Sequence, residues 1–180
     1  TIRADATLNK ACISGRNEIN MLRRIAIWAS ILTCGLMVAG PVRAADGLVQ
    51  ARNLQADARV AASRGVPLLV FFTSPGCHFC ERVRRVYLVP MSRDRAYRNQ
   101  VLIREVTVGA HTPLIDFDGS RTTSSTFAAA HRVFMVPTVK VLDHRGNEAA
   151  EPIVGLLTED YYYGHLQAAI ESGIRKVRTP

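Results

Sequence analysis

Two cysteines stand two residues apart in Ser74-Pro75-Gly76-Cys77-His78-Phe79-Cys80. A pair at this spacing can close a redox disulfide, supply soft metal ligands or act as a staple. The stretch before it, Leu68-Leu69-Val70-Phe71-Phe72-Thr73, is apolar and rich in Val and Phe, and the stretch after it, Glu81-Arg82-Val83-Arg84-Arg85-Val86, reads as a helix. Such a strand-to-helix junction would put Cys77 at a helix N-terminus, where unsatisfied N–H groups and the macrodipole favour a thiolate. Cys80 would lie one turn further in.

The positioning elements follow from periodicity. Residues 68–73 form a continuous apolar run, which predicts a strand buried on both faces. Leu48, Ala51, Leu54, Ala58 and Ala61 recur at three and four residues and predict a helix over 47–64, stopped by Gly65. After the cysteines, Val83, Val86 and Tyr87 are expected to face inward and Arg82, Arg84 and Arg85 outward. Leu88-Val89-Pro90 should interrupt that helix, with a short helical stretch over 93–98. Residues 101–108 predict a second strand, 109–121 a loop, and Ser124 or Ser125 a helix cap. Residues 134–142 read as a strand with Pro137 near its head, His144–Asn147 as a hairpin turn, and 152–155 as a short edge partner. A last helix opens near Thr158 and carries Tyr162, Leu166, Ala169, Ile170 and Ile174 on one face. The order implies an α/β fold with two parallel crossovers followed by an antiparallel hairpin.

The 180 residues are enough for one domain, and the formal charge is +8. Residues 1–44 carry six Lys/Arg and two acids, so the remainder holds 17 basic and 13 acidic residues, or +4. Its arginines are scattered and not interleaved with aromatics, so no nucleic-acid partner is expected. Met21-Leu22-Arg23-Arg24, the apolar run 25–40 and Pro41-Val42-Arg43-Ala44 have the shape of a signal peptide cleaved after Ala44. The run is short for a membrane anchor. Residues 1–20 are polar and aperiodic, and we expect them to lie upstream of the true start and to be disordered. Residues 45–180 then form a single domain, exported to the periplasm.

Cysteine chemistry narrows with the leader removed, because Cys12 and Cys34 go with it and only Cys77 and Cys80 remain. A bridge between such close neighbours constrains the unfolded chain little, which argues against a staple. Structural zinc needs about four ligands. Covalent haem attachment needs His after the second cysteine, where this chain has Glu81. Redox exchange remains first, needing no further cofactor, and a Cu(I)-binding, chaperone-like protein using the same two thiols is the alternative. A Met/His cluster near the pair is missing, which counts against copper. Met135 and Tyr161–Tyr163 are read as packing, His111, His131, His144 and His165 as structural or surface residues, and no metal site is expected.

The strand–Cys77-His78-Phe79-Cys80–helix unit, Val136-Pro137-Thr138 some sixty residues later, the hairpin and the last helix together resemble the thioredoxin superfamily over residues 47–178. Within it, the chain is similar to exported bacterial thioredoxin-like proteins, including SoxW-like and SoxS-like proteins. The resemblance implies a thioredoxin-like fold, a central mixed sheet of about four strands flanked by helices. It implies Cys77 as nucleophile, Cys80 as resolving thiol, Pro137 as a cis-proline facing the pair, and Val136 as a main-chain contact for an extended substrate. Phe79 is expected to pack or to join an apolar docking surface, and His78 either to tune the Cys77 pKa or to stand exposed with little effect. Partners would be disulfide-bearing or thiol-bearing periplasmic proteins, with electrons from a membrane donor. Two positions depart from the family pattern: His78-Phe79 replaces Gly-Pro, and Phe71 stands where thioredoxins bury an aspartate that moves the resolving thiol's proton. Glu81 or water would have to substitute.

Overall fold

In a computed structural model of the chain, residues 47–156 and 158–179 are described. The signal peptide and upstream segment expected over 1–44 lie outside them. Helix α1 (Leu54–Arg64) leads into β1 (Leu68–Thr73), and α2 (His78–Arg82) follows the cysteine turn. That helix runs through a π-helical stretch (Val83–Leu88) into α3 (Val89–Arg93), and the one-turn α4 (Arg95–Arg98) precedes β2 (Leu102–Thr107). Next come β3 (Pro113–Ile115), β4 (Arg121–Thr123), α5 (Ser124–Ala130), β5 (Thr138–Leu142), β6 (Ile153–Val154) and α6 (Glu159–Arg178).

The main sheet has the order β2-β1-β5-β6. β1 is buried at all six positions, as a continuous apolar run requires. It pairs parallel to β2 and antiparallel to β5. The sheet is therefore mixed, and only one of the two expected crossovers is parallel. Period-two alternation sends β1 side chains to two cores. Leu69 and Phe71 join Cys80, Val83, Leu88, Tyr162, Leu166 and Ile170 beneath α2, α3 and α6. Leu68, Val70 and Phe72 join Leu54, Ala61, Phe127 and Ala128 beneath α1 and α5. Each fully buried Phe or Leu contributes roughly 1.5–3 kcal/mol of apolar transfer. α6 lies so close to the sheet that a Cβ on Gly173 would sit 2.5 Å from Val141 Cγ1.

Several local readings are corrected. The first helix begins at Leu54, not Gly47, because Asn53 caps it by accepting from the Ala56 N–H at 2.8 Å. Residues 49–51 instead run beside β2, with Ala51 N–H donating to Glu105 O at 2.8 Å. Pro90 does not break the helix; it follows directly on the π-helical stretch, at the second residue of α3. The 109–121 loop contains β3, which pairs with β4 in a separate two-stranded ribbon. Thr123, rather than Ser124 or Ser125, caps α5. The strand expected from Phe134 begins at Thr138. Among the described residues no helix is long and apolar enough to cross a membrane.

Candidate active site

The junction between β1 and α2 is a tight turn. Cys77 N–H donates to Ser74 O at 3.3 Å across Pro75 and Gly76, and Gly76 has φ 73°. Proline followed by a left-handed glycine is what a type II turn requires. The turn delivers Cys77 to the N-cap of α2, where its Sγ accepts from the Cys80 N–H at 3.1 Å. The two sulfurs are joined in a disulfide, with Cα atoms 5.2 Å apart. Cys77 is half-buried and Cys80 completely buried. An incoming group therefore meets Cys77 first.

The other half of the site comes from the approach to β5. Phe72 pairs with Thr138, so Pro137 lies level with Thr73, at the end of β1 that leads into the cysteine turn. The Val136–Pro137 peptide bond is cis. Val136 touches both cores, whereas Pro137 is buried and its carbonyl accepts from Gly155 N–H at 2.8 Å. Thr138 Oγ1 donates to Met135 O at 2.8 Å and braces the loop. Cys77 and Val136 border the same core cluster that contains Cys80.

The remaining sequence candidates fall as follows. His78 is exposed at the first position of α2 and meets Phe79 edge-on at 6.0 Å. Phe79 is 58% exposed, which leaves it on the surface beside the pair rather than packed. Met135, expected in the core, is 61% exposed, and its neighbour Phe134 is 89% exposed. They precede β5, so no helix covers them. Tyr162 is buried, as expected for packing at a helix start, while Tyr161 and Tyr163 are exposed. His131 is the one partly buried histidine of the four, and burial holds its pKa below the ordinary imidazole value. Among the described residues, no group of three or more His, Cys, Asp or Glu side chains is arranged to hold a metal. A cleft of about 490 Å³ between β6 and α6 is lined by Ile153, Tyr162 and His165 and does not include the cysteines.

One inward-facing charge escapes sequence reasoning. Arg84, expected outside, is turned in, and Val86, expected inside, is 52% exposed. Helical phase explains the exchange: Arg84 stands four residues after the buried Cys80 and shares its face, whereas Val86 stands six residues after it and falls outside that face. Arg84 forks onto the Glu105 carboxylate, with Nε to Oε2 at 2.7 Å and Nη2 to Oε1 at 3.0 Å. It also pairs with Glu81, reaches Thr73 Oγ1 at 3.3 Å and lies 5.9 Å over the Phe71 ring. Glu105 is 4% exposed and takes a further bond from Gln50 Nε2 at 2.6 Å. The Arg84 guanidinium is held above its ordinary pKa, chiefly by the bond to Glu105. An acid next to Arg104 within the strand β2 was the sequence signal for it.

The family model described as thioredoxin-like domain matches residues 54–170. Mitochondrial thioredoxin 3 from Saccharomyces cerevisiae is 18% identical, with 69% of this chain and 93% of that one covered and a TM-score of 0.44. An uncharacterised thioredoxin-like protein from Clostridium perfringens is 17% identical, covering 81% and 98%, with a TM-score of 0.47. Thioredoxin O2 from Arabidopsis thaliana is 18% identical, covering 70% and 93%, with a TM-score of 0.45. No curated protein matches the sequence.

Proposed function

Since the chain belongs to the thioredoxin-like domain family, we propose that it is a thiol-disulfide oxidoreductase acting on proteins through Cys77 and Cys80. The observation that carries the reading is the asymmetry of the pair: a half-buried Cys77 capping α2 and a completely buried Cys80 bonded to it.

In the dithiol form, the N–H groups of the first turn favour ionisation of Cys77. Its thiolate attacks one sulfur of a partner disulfide, forming a mixed disulfide and expelling the partner's other sulfur as a thiolate. Cys80 then gives up its proton, which passes through water to the expelled partner thiolate, and attacks Cys77 Sγ. The mixed disulfide breaks, the partner leaves with both sulfurs reduced, and the Cys77–Cys80 bond is closed. Two electrons pass to the partner, and the reverse sequence oxidises a partner dithiol. No bound cofactor is called for. Val136 and Pro137 would align the partner backbone, and the exposed Phe79, Phe134 and Met135 offer it apolar surface.

Export to the periplasm is proposed on the leader-like residues 21–44, as is the placement beside SoxW-like and SoxS-like proteins. There, a membrane dithiol donor would return the pair to its reduced state, and the partners would be periplasmic proteins with disulfides or thiols. The test is catalysis of insulin disulfide reduction by dithiothreitol. The wild-type chain accelerates it, and Cys77→Ser reduces the rate to the uncatalysed level. A Cys77→Ser protein as active as wild type would overturn the reading.

A further inference from the structure

The described residues place one buried ion pair on the face of the sheet that carries Cys80. Glu105 stands on β2 directly beside Phe71 of β1, and Ile103, two residues earlier on the same face, belongs to the core cluster that contains Cys80, Val83 and Phe71. Arg84 rises to meet Glu105 from the helix itself, four residues after Cys80. Side chains four apart on a helix are neighbours, and Arg84 Nη2 also reaches Thr73 Oγ1 at 3.3 Å, at the end of β1 that leads into the Cys77 turn. The side chains of Arg84 and Glu105 are 18% and 6% exposed, so solvent screens them little.

We propose that the Arg84–Glu105 pair is a positioning and charge-setting element that fixes the reduction potential of Cys77–Cys80. This rests on the redox reading of the pair. Reducing the disulfide consumes two electrons and, when one sulfur stays ionised, one proton, so an uncharged bond becomes a thiol and a thiolate. That new negative charge is sensitive to fixed charges close by. Arg84 would favour it, but the forked bond from Arg84 to Glu105 cancels most of the cation's field. Glu81, paired with Arg84 from the exposed side, adds a second, better-solvated anion. Arg82, on the same helix, is committed to Glu159 at the surface. The groups around Arg84 thus sum to one net negative charge, and the wild-type chain is biased toward the disulfide.

The direction of the effect separates this role from scaffolding. Glu105→Gln leaves the cation uncancelled and stabilises the reduced form. Arg84→Gln leaves the carboxylate alone and stabilises the disulfide. A merely structural pair would give both variants the same loss of stability and no opposed change in redox balance.

The experiment equilibrates each protein with dithiothreitol and its cyclic disulfide at pH 7 and measures the reduced fraction by thiol alkylation. Dithiothreitol supplies two electrons and two protons as it closes its own ring, so no protein partner is needed. Relative to wild type, the equilibrium constant for reduction is expected to rise about three- to tenfold in Glu105→Gln and to fall by a similar factor in Arg84→Gln. Tenfold corresponds to about 30 mV for a two-electron couple. The double variant, neutral at both positions, returns close to wild type. Arg84→Lys keeps the charge and loses the fork; it stays near wild type and carries the test if Glu105→Gln fails to fold. Shifts of the same sign in the two single variants, no shift in either, or an Arg84→Lys shift as large as that of Arg84→Gln would each overturn the proposal. Failure of the redox reading is separately visible as a wild-type chain that does not accelerate insulin reduction.

Discussion

Arg104 and Glu105 are consecutive residues of β2 that point to opposite faces of the sheet, and each finds a countercharge on a helix. Arg104 donates from Nε to Asp57 Oδ2 at 2.8 Å and pins α1, the helix behind the sheet. Glu105 is held by Arg84 and pins the helix that bears Cys80. The two pairs share a strand and a chemistry but differ in burial: both members of the Arg104–Asp57 pair are 16% exposed, against 18% and 6% for Arg84 and Glu105. They differ more in what they hold. One fixes scaffold to scaffold, and the other fixes the reactive helix to scaffold. Position relative to the cysteines, rather than the strength of an ion pair, decides which of two similar interactions bears on function.

Breaking the two pairs separately sharpens the contrast. The largest loss of stability is expected for Glu105→Gln, which leaves the half-buried Arg84 with only the exposed Glu81 as countercharge. Removing one partner of a buried pair costs about 3 kcal/mol, read as a lower urea midpoint at unchanged slope. Asp57→Asn is expected to cost less, about 1 kcal/mol, since the Asp57 carboxylate is 16% exposed against 6% for Glu105. Its reduction potential should equal that of wild type. A shift in the Asp57→Asn potential as large as that of Glu105→Gln would erase the distinction between the faces.

The smallest effect concerns pH on the α1/α5 face. His131 stacks against Phe127 at 4.3 Å, and its carbonyl accepts from Lys140 Nζ at 2.6 Å. Burial lowers its pKa first, and the Lys140 charge lowers it further against opposing contributions from Asp116 and Glu148. A histidine depressed in the fold binds fewer protons there than in the unfolded chain. Stability from this residue is therefore complete above the unfolded value of about 6.5 and declines as pH falls through the folded value. The unfolding midpoint should be level between pH 7 and 8 and drop below pH 6.5, with a shallower drop in His131→Gln. Equal drops in the two proteins would show that other groups carry the pH dependence.

Much of this was legible in the chain. The apolar run Leu68–Thr73 fits a fully buried strand, and the stripe Tyr162, Leu166, Ala169 and Ile170 fits one face of a long helix. Both are local patterns that burial enforces residue by residue. The two cysteines were also legible, because their chemistry is in their identity and spacing, whereas the Val136-Pro137 step was implied by the resemblance to the thioredoxin superfamily. The sense of β5 was not, since a connection of thirty residues can return in either direction and the choice is made by packing. Nor was the true start of α1. Leu48 and Ala51 fit a helical stripe, yet they are buried equally well by an extended segment running beside β2.

What the sequence by itself determined was a reactive pair at a strand-to-helix junction, since neighbours along the chain set spacing, turn and cap. What only the tertiary structure decided was the company that pair keeps. Met135 and Phe134 look like core residues until the fold leaves them uncovered. Arg84 looks like a surface cation until the fold sets the Cys80 face of its helix against a carboxylate 21 residues away in sequence. Those outcomes depend on which elements meet, and a buried charge is tolerable only where the fold supplies its partner.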